Sequence, residues 1–408
     1  MRNRLLLGRD REYDGLYLGL ALALSFLGVA LIFSARQSLD GSTVYYLRQL
    51  MWVGLSLMVF LAVIRIPLRF YEVFAYPIFA LAIVLLVAVL FFGKGAGGAV
   101  RWFNFGAFKF QPSEWAKVAV VIAGARFLSS NRPHAPWFKL LILGLICGIP
   151  ALLVLREPDL GTAMVFGAIF VGLAFWSRIP MWSLALLLTP LVSLIAASNV
   201  YAWLVYLAIL LIALAVIRPG LWPAIGMATM NIAAGISTPF LWNQLHHYQQ
   251  LRILTFFDPS RDPHGAGYQI IQSKVAIGAG GIFGRGFLEG TQTHLKFLPA
   301  QHTDFIFAVL GEEFGLLGTT ITLSLFAFLV VRGYWFAQRT RSRFGSHVAA
   351  GLTSVLLFHI LVNIGMTLGV FPVTGLPLPF LSYGGTFLLA IWAQIAIIQV
   401  VAERWREY

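Results

Sequence analysis

Apolar runs of roughly 20 residues recur along almost the whole chain, and no other feature limits its fold as much. An α-helix rises about 1.5 Å per residue, so each run matches the roughly 30 Å hydrocarbon core of a bilayer. In that core every backbone N–H and C=O must be satisfied internally, which leaves helices or a closed barrel. The runs are continuous rather than alternating, so they read as helices. Of the 408 residues, 59% are hydrophobic and 11% charged, against roughly 25% charged in soluble domains. The expected fold is an all-α polytopic membrane protein, a bundle of about 10–12 transmembrane helices in one membrane domain over residues 1–408.

The spans read, in order, about 15–35, 47–66 and 71–92, then a fourth from Pro112 and a fifth ending at the sequence REPDLGT (156–162). A sixth and seventh bracket Arg178, and two more, about 201–217 and 222–241, are separated by Arg218. The last three begin near Asp304, end near Phe371, and end before Arg404. The total is about twelve, with 200–241 readable as an added helical hairpin and about 242–303 as a large extracytoplasmic loop. Placing Arg2–Arg11 in the cytoplasm puts Arg65/Arg69, Arg132/Lys139, Arg178, Arg218 and Arg332–Arg343 there as well, with both termini. These arginines account for much of the net charge of +13, which therefore reports topology and not nucleic-acid binding. The first apolar run is long for a signal peptide and is read as a retained helix. Cys147 is the single cysteine, so no intrachain disulfide forms.

Every polar, glycine-rich segment falls on the other, outer side: the Trp102 loop, REPDLG, the stretch 246–313 and the loop PLPFLSYGG. In the sequence DPSRDPHGAGYQ (258–269), Asp258 and Asp262 each precede a proline. Proline fixes its own φ and biases its predecessor toward extended geometry, so both carboxylates sit on rigid, non-helical chain. Such a carboxylate suits a general base, a metal ligand or a cation site; capping a turn is the plainer alternative. Glu114 and Lys117 share a helical face at i,i+3, close enough to pair. Asp159 is placed to N-cap the sixth span. Glu312 and Glu313 face an interior. Arg48 and Arg156 lie near outer helix ends, where long cationic side chains snorkel. Trp102 fits an interfacial aromatic belt. The GxGxxG match at Gly93, Gly95 and Gly98 lacks a preceding strand and carries no nucleotide-binding meaning. At this level a transporter and a lipid-linked enzyme both fit.

Five motifs, RWFNFGAFKFQPSEWAK (101–117), REPDLGT, DPSRDPHGAGYQIIQSKVAIGAGG (258–281), GTQTHLKFLPAQHTDFIFAVLGEEFG (290–315) and GLPLPFLSYGGT (375–386), together resemble the SEDS family of membrane proteins. Its branches serve elongation (RodA), division (FtsW) and sporulation (SpoVE), and GTQTHLKFLP resembles the RodA branch. The resemblance implies a peptidoglycan glycosyltransferase of the cytoplasmic (inner) membrane that polymerises lipid II at the outer face during cell-wall elongation. It implies as partners a class B penicillin-binding protein (PBP2-like) and other elongation-machinery membrane proteins. The family's essential aspartate falls on Asp262, with Asp258 second, and Trp102, Glu114, Lys117 and Asp159 match family residues around a cavity. The leaving pyrophosphate calls for cations, supplied by Arg48, Lys117 or a divalent ion such as magnesium or manganese. The family usually has ten spans; the excess here lies between 199 and 241. A lipid II flippase and an FtsW-like division polymerase are the alternative functions.

Overall fold

The computed structural model describes residues 13–36, 42–93, 101–106, 108–130, 135–245, 250–251, 254–256, 258, 265–294 and 300–403. Helices form where the apolar runs lie: α1 Gly15–Arg36, α2 Ser42–Val63, α3 Leu68–Val73, α4 Ala75–Phe92, α5 Pro112–Leu128, α6 Pro136–Arg156 and α7 Leu160–Trp176. They continue as α8 Met181–Ala196, α9 Val200–Ile217, α10 Leu221–Gln244, α11 Ala266–Gly280, α12 Ile306–Arg339, α13 Arg343–Thr367 and α14 Gly385–Glu403. Among the described residues nine of these are long and apolar enough to cross a bilayer, and α7 and α8 are shorter apolar helices. The 17-residue α5, which carries Glu114, Lys117 and Arg126, falls in neither group. The protein is a multi-pass membrane protein.

Local chemistry sets the boundaries. Pro112 and Pro136 open α5 and α6, where a missing N–H costs nothing. Asp159, Asn199 and Ser342 cap α7, α9 and α13 through side-chain oxygens. Asp14 does the same for α1, accepting from Tyr17 N at 2.8 Å. Its carboxylate also pairs with Arg332 on α12, and its backbone N–H and C=O both bond to Gln399 on α14. That end of the bundle, the one carrying the basic loops, is thereby tied together.

The last helix is the most enclosed: 94% of its apolar window is buried inside the protein, against 11% for α9. Helices α2, α5, α12 and α13 pack against it, while α8, α9 and α10 form a satellite with its own small core of Leu186, Leu210, Leu214 and Met227. A buried polar knot joins the three. Asn231 Nδ2 donates to Thr189 Oγ1 and Met227 O, each at 2.9 Å, and its Oδ1 accepts from Tyr206 Oη at 2.9 Å.

Three features differ from the sequence reading. The third apolar run is not one helix; it breaks at Phe74 between α3 and α4. The Trp102 loop contains a two-stranded antiparallel hairpin, β1 Phe103–Phe105 and β2 Phe108–Phe110, with Asn104 opposite Lys109 and Gly106 at φ 65° in the turn. The loop read at about 242–303 contains a helix, α11, which buries Ile270 and Ala276 against Phe305, Ala308, Met366 and Val373.

The glycines after α11 have a structural cause. Helix α12 is broken at Gly315 (φ 62°, ψ −159°), and the backbone groups there bond to residues 281–286. Leu316 N donates to Gly281 O at 2.9 Å, and Arg285 N to Glu312 O at 3.0 Å. Broken backbone is tolerated at membrane depth when protein satisfies it this way. A Cβ on Gly280 would lie 2.0 Å from Gly311 O, so only glycine permits the approach.

Candidate active site

At the end of the bundle opposite the basic loops, the N-terminal halves of α2, α5, α7 and α14 and the segments before α12 and α14 enclose a cavity of about 770 Å³. The hairpin β1–β2 forms part of its wall. Its lining includes Arg48, Trp102, Glu114 and Asp159, four of the side chains singled out from sequence, together with Arg101, Lys109, Asp304 and Tyr383. The cavity is therefore assembled from residues 48–387 of the chain.

Lys117 is placed differently. It is fully buried beneath the cavity, 2.7 Å from Glu114 Oε2, and does not itself line the space. Its ammonium also donates to His359 Nε2 at 3.1 Å, which puts the imidazole proton on Nδ1, 3.3 Å from Pro377 O. The chain Glu114–Lys117–His359–Pro377 thus couples the start of α5 to the loop before α14. A charged pair at this depth is retained when both partners are held, because desolvation penalises either alone.

Asp159 does cap α7, its two oxygens accepting from Thr162 N at 3.1 Å and Thr162 Oγ1 at 3.0 Å. Arg101 stands 3.7 Å from it and donates to the carbonyls of Glu157 (3.2 Å) and Pro158. The Glu157 side chain is 1% exposed with neither carboxylate oxygen hydrogen-bonded. Burial, reinforced by Asp159 and opposed by Arg101, pushes its carboxyl up to about 8.

On the facing segment, His302 Nε2 accepts from Arg36 Nη2 at 2.7 Å, and the Arg36 guanidinium lies 3.9 Å from the Tyr45 ring centre. Burial first, and the guanidinium second, hold His302 down at about 4, so it is neutral near pH 7. Arg48 and Lys109 are exposed in the cavity wall, and among the described residues neither has a carboxylate within ion-pair distance. They are the cations available to an anionic ligand. No three His, Cys, Asp or Glu side chains converge on a common point among the described residues.

Asp258 is half-buried after a short helical turn and is not among the cavity-lining residues. Asp262 lies outside the described residues. Sequence reasoning passed over Arg101, Lys109, His302 and Asp304. The FNF–GA–FKF alternation announces the hairpin that carries Lys109, whereas His302 and Asp304 have no local signal beyond preceding a long helix.

Comparison with known proteins gives a consistent result. The sequence pattern of the FtsW/RodA/SpoVE cell cycle protein family matches residues 14–208 and 191–407, in two overlapping pieces. The chain is 39% identical over 356 residues to the peptidoglycan glycosyltransferase MrdB of Escherichia coli K12, covering 87% of this chain and 84% of that protein. It is 33% identical to the peptidoglycan glycosyltransferase RodA of Treponema pallidum, covering 96% and 98%. Among solved structures, a chain from a peptidoglycan synthase complex that coordinates polymerization and crosslinking superimposes with a TM-score of 0.73 at 28% identity, covering 97% and 99%.

Proposed function

This chain belongs to the FtsW/RodA/SpoVE family of cell cycle proteins, and on that premise we propose that it is a peptidoglycan glycosyltransferase of the RodA (MrdB) type. It polymerises lipid II into glycan strands during cell-wall elongation. The observation that carries this reading is the cavity. It joins two exposed cations, Arg48 and Lys109, to hydrogen-bonding groups and aromatic walls at one end of a membrane bundle. A lipid-linked sugar pyrophosphate needs such a site: cations for the diphosphate, polar groups for the sugar, and lipid at the rim for the polyprenyl tail.

In the reaction an acceptor sugar hydroxyl attacks the anomeric carbon of the donor. The carbon–oxygen bond to the diphosphate breaks, and the hydroxyl proton passes to a base. Asp262 is that base in this proposal, on the proline-bounded segment between Asp258 and α11; a positioned base typically contributes about 10²–10⁴-fold. Arg48 and Lys109 meet the charge developing on the leaving diphosphate. Asp159, fixed by its helix cap, and Glu114, fixed by Lys117, hold the polar wall in place, with Trp102 among the lining side chains. A divalent cation is called for by the diphosphate alone.

The arrangement of basic loops supports a cytoplasmic location for both termini and an outer location for the cavity in the bacterial inner membrane. The strands made there would be crosslinked by a class B penicillin-binding protein bound alongside. Purified protein with that partner, given fluorescently labelled lipid II, should yield glycan strands longer than a disaccharide pair. Transbilayer movement of lipid II in vesicles without strands would replace this reading with a transporter.

A further inference from the structure

The loop before α14 has no regular secondary structure between 372 and 378, yet buried side chains engage its backbone. Leu376 O accepts from Asn363 Nδ2 at 2.8 Å, Pro377 O from His359 Nδ1 at 3.3 Å, and Leu378 N donates to Ser382 Oγ at 2.8 Å. His359 and Asn363 stand four apart on α13 and so share one face. Asn363 Nδ2 also donates to Asp304 O at 2.9 Å, and His302 O accepts from Tyr383 N at 2.9 Å, so the strip 302–304 is fastened to the same framework. Helix α7 closes in as well, since a Cβ on Gly161 would lie 2.6 Å from Thr374 O. Gly375 and Pro377 are cavity-lining residues. Side chains of α13 therefore hold a segment of the cavity wall.

His359 does more than this, because its other nitrogen reaches a second wall. Lys117 Nζ lies 3.1 Å from His359 Nε2, 2.7 Å from Glu114 Oε2 and 5.6 Å from the centre of the Phe387 ring. The ammonium is thus enclosed by groups from α5, α13 and α14, and Glu114 and Phe387 both line the cavity. His359 and Lys117 are fully buried and do not line it. An ammonium has three donors and no lone pair, so Nε2 has to accept and the ring proton has to sit on Nδ1. An imidazolium would turn a second N–H against the ammonium. The two bonds of the ring are unequal. The one to Lys117 is charge-assisted, a class roughly twice as strong as neutral bonds. The one to Pro377 O joins neutral groups at 3.3 Å, beyond the usual range of about 2.7–3.2 Å.

Resting on the glycosyltransferase reading, we infer that His359 is a positioning residue for the substrate cavity. As the Nδ1–H tautomer it aims Lys117 at Glu114 and so fixes the carboxylate in the wall, without touching substrate itself. Its acceptor nitrogen carries the role, and the bond to Pro377 is secondary.

Three substitutions separate the two bonds. Glutamine places an acceptor oxygen near the Nε2 position but reaches Pro377 poorly. Asparagine keeps a donor near the Nδ1 position and leaves Lys117 without its acceptor. Leucine fills the space and does neither. Full-length protein in nanodiscs is titrated with fluorescent lipid II, and strand synthesis is followed in parallel. Loss of a hydrogen bond to a charged group weakens an interaction by roughly 10–100-fold, and one acting through Lys117 should show the lower figure. His359→Asn and His359→Leu should bind lipid II about 10-fold more weakly, while His359→Gln stays within about threefold of wild type. Solid-state nitrogen NMR of histidine-labelled wild type, with the His359 signals assigned by their loss in His359→Gln, should show the proton on Nδ1 and a bare Nε2. A protonated Nε2 overturns the inference. So does lipid II binding by His359→Asn and His359→Leu within about twofold of wild type, or His359→Gln as weak as His359→Leu. Wild type that binds lipid II but makes no strands would defeat the glycosyltransferase reading, while the spectrum and the binding series would still decide the role of His359.

Discussion

Replacing Lys117 with methionine should destabilise the protein far more than the loss of one ion pair suggests. Lys117 is fully buried and Glu114 is 4% exposed, with 2.7 Å between the charged atoms. At that distance and an effective dielectric constant near 20, the gross attraction is about 6 kcal/mol. Desolvation of the two groups cancels most of it, so the pair as a whole is worth little. Methionine keeps the length of the side chain but leaves the Glu114 carboxylate buried without a counter-charge, at a cost of about 3–5 kcal/mol. The double variant Glu114→Gln/Lys117→Met removes both charges and should return to within about 1 kcal/mol of wild type, a coupling that a double-mutant cycle reads directly. The assay is reversible unfolding in mixed micelles, followed by circular dichroism, for wild type, both single variants and the double variant. A Lys117→Met protein within about 1 kcal/mol of wild type would refute the reasoning, as would a double variant no more stable than that single one.

Other outcomes follow from particular contacts. Gly28→Ala places a Cβ 2.4 Å from Phe380 O and 2.7 Å from Leu381 Cα, so unfolding experiments should show a loss of about 1–3 kcal/mol. Gly19→Ala on the same helix meets nothing within 4 Å and should be neutral or stabilising by about 0.5–1 kcal/mol. The Glu157 carboxyl, raised from 4.5 to about 8, keeps its proton where the unfolded chain releases it. Its contribution to stability is whole below pH 4.5 and is lost as pH rises through about 8; Glu157→Gln should remove that decline in melts taken across this range. Asn231→Leu breaks the knot joining α8, α9 and α10 and should weaken unfolding stability by about 0.6–1.7 kcal/mol. Strand synthesis should survive that change, because the knot is remote from the cavity.

What the sequence revealed was local in origin. The long apolar helices follow from the lengths of the apolar runs, the Asp159 cap from its distance to Thr162, and the Glu114–Lys117 pair from i,i+3 spacing. Positive charge at one end of the bundle was equally readable. The rest depends on contacts between distant segments. Lys117 meets His359 across 242 positions and the 302–304 strip is held by residues 363–383, which no spacing rule anticipates. Two readings of loop structure gave way for identifiable reasons. The phenylalanine alternation at 103–110 marks a hairpin, and the apolar residues of α11 gain burial only once α12 and α13 are in place. Lys117, expected in the cavity with Arg48, lies beneath it because Glu114 and His359 bind its ammonium there.

The most direct test of the central claim compares glycan-strand synthesis by wild type, Asp262→Asn and Asp258→Asn, each purified with the same penicillin-binding partner and supplied with labelled lipid II. The account predicts strands from wild type, a rate lower by about 10²-fold or more for Asp262→Asn, and substantial activity for Asp258→Asn, whose side chain does not line the cavity. Wild-type rates from Asp262→Asn, with partner binding and folding intact, would contradict it.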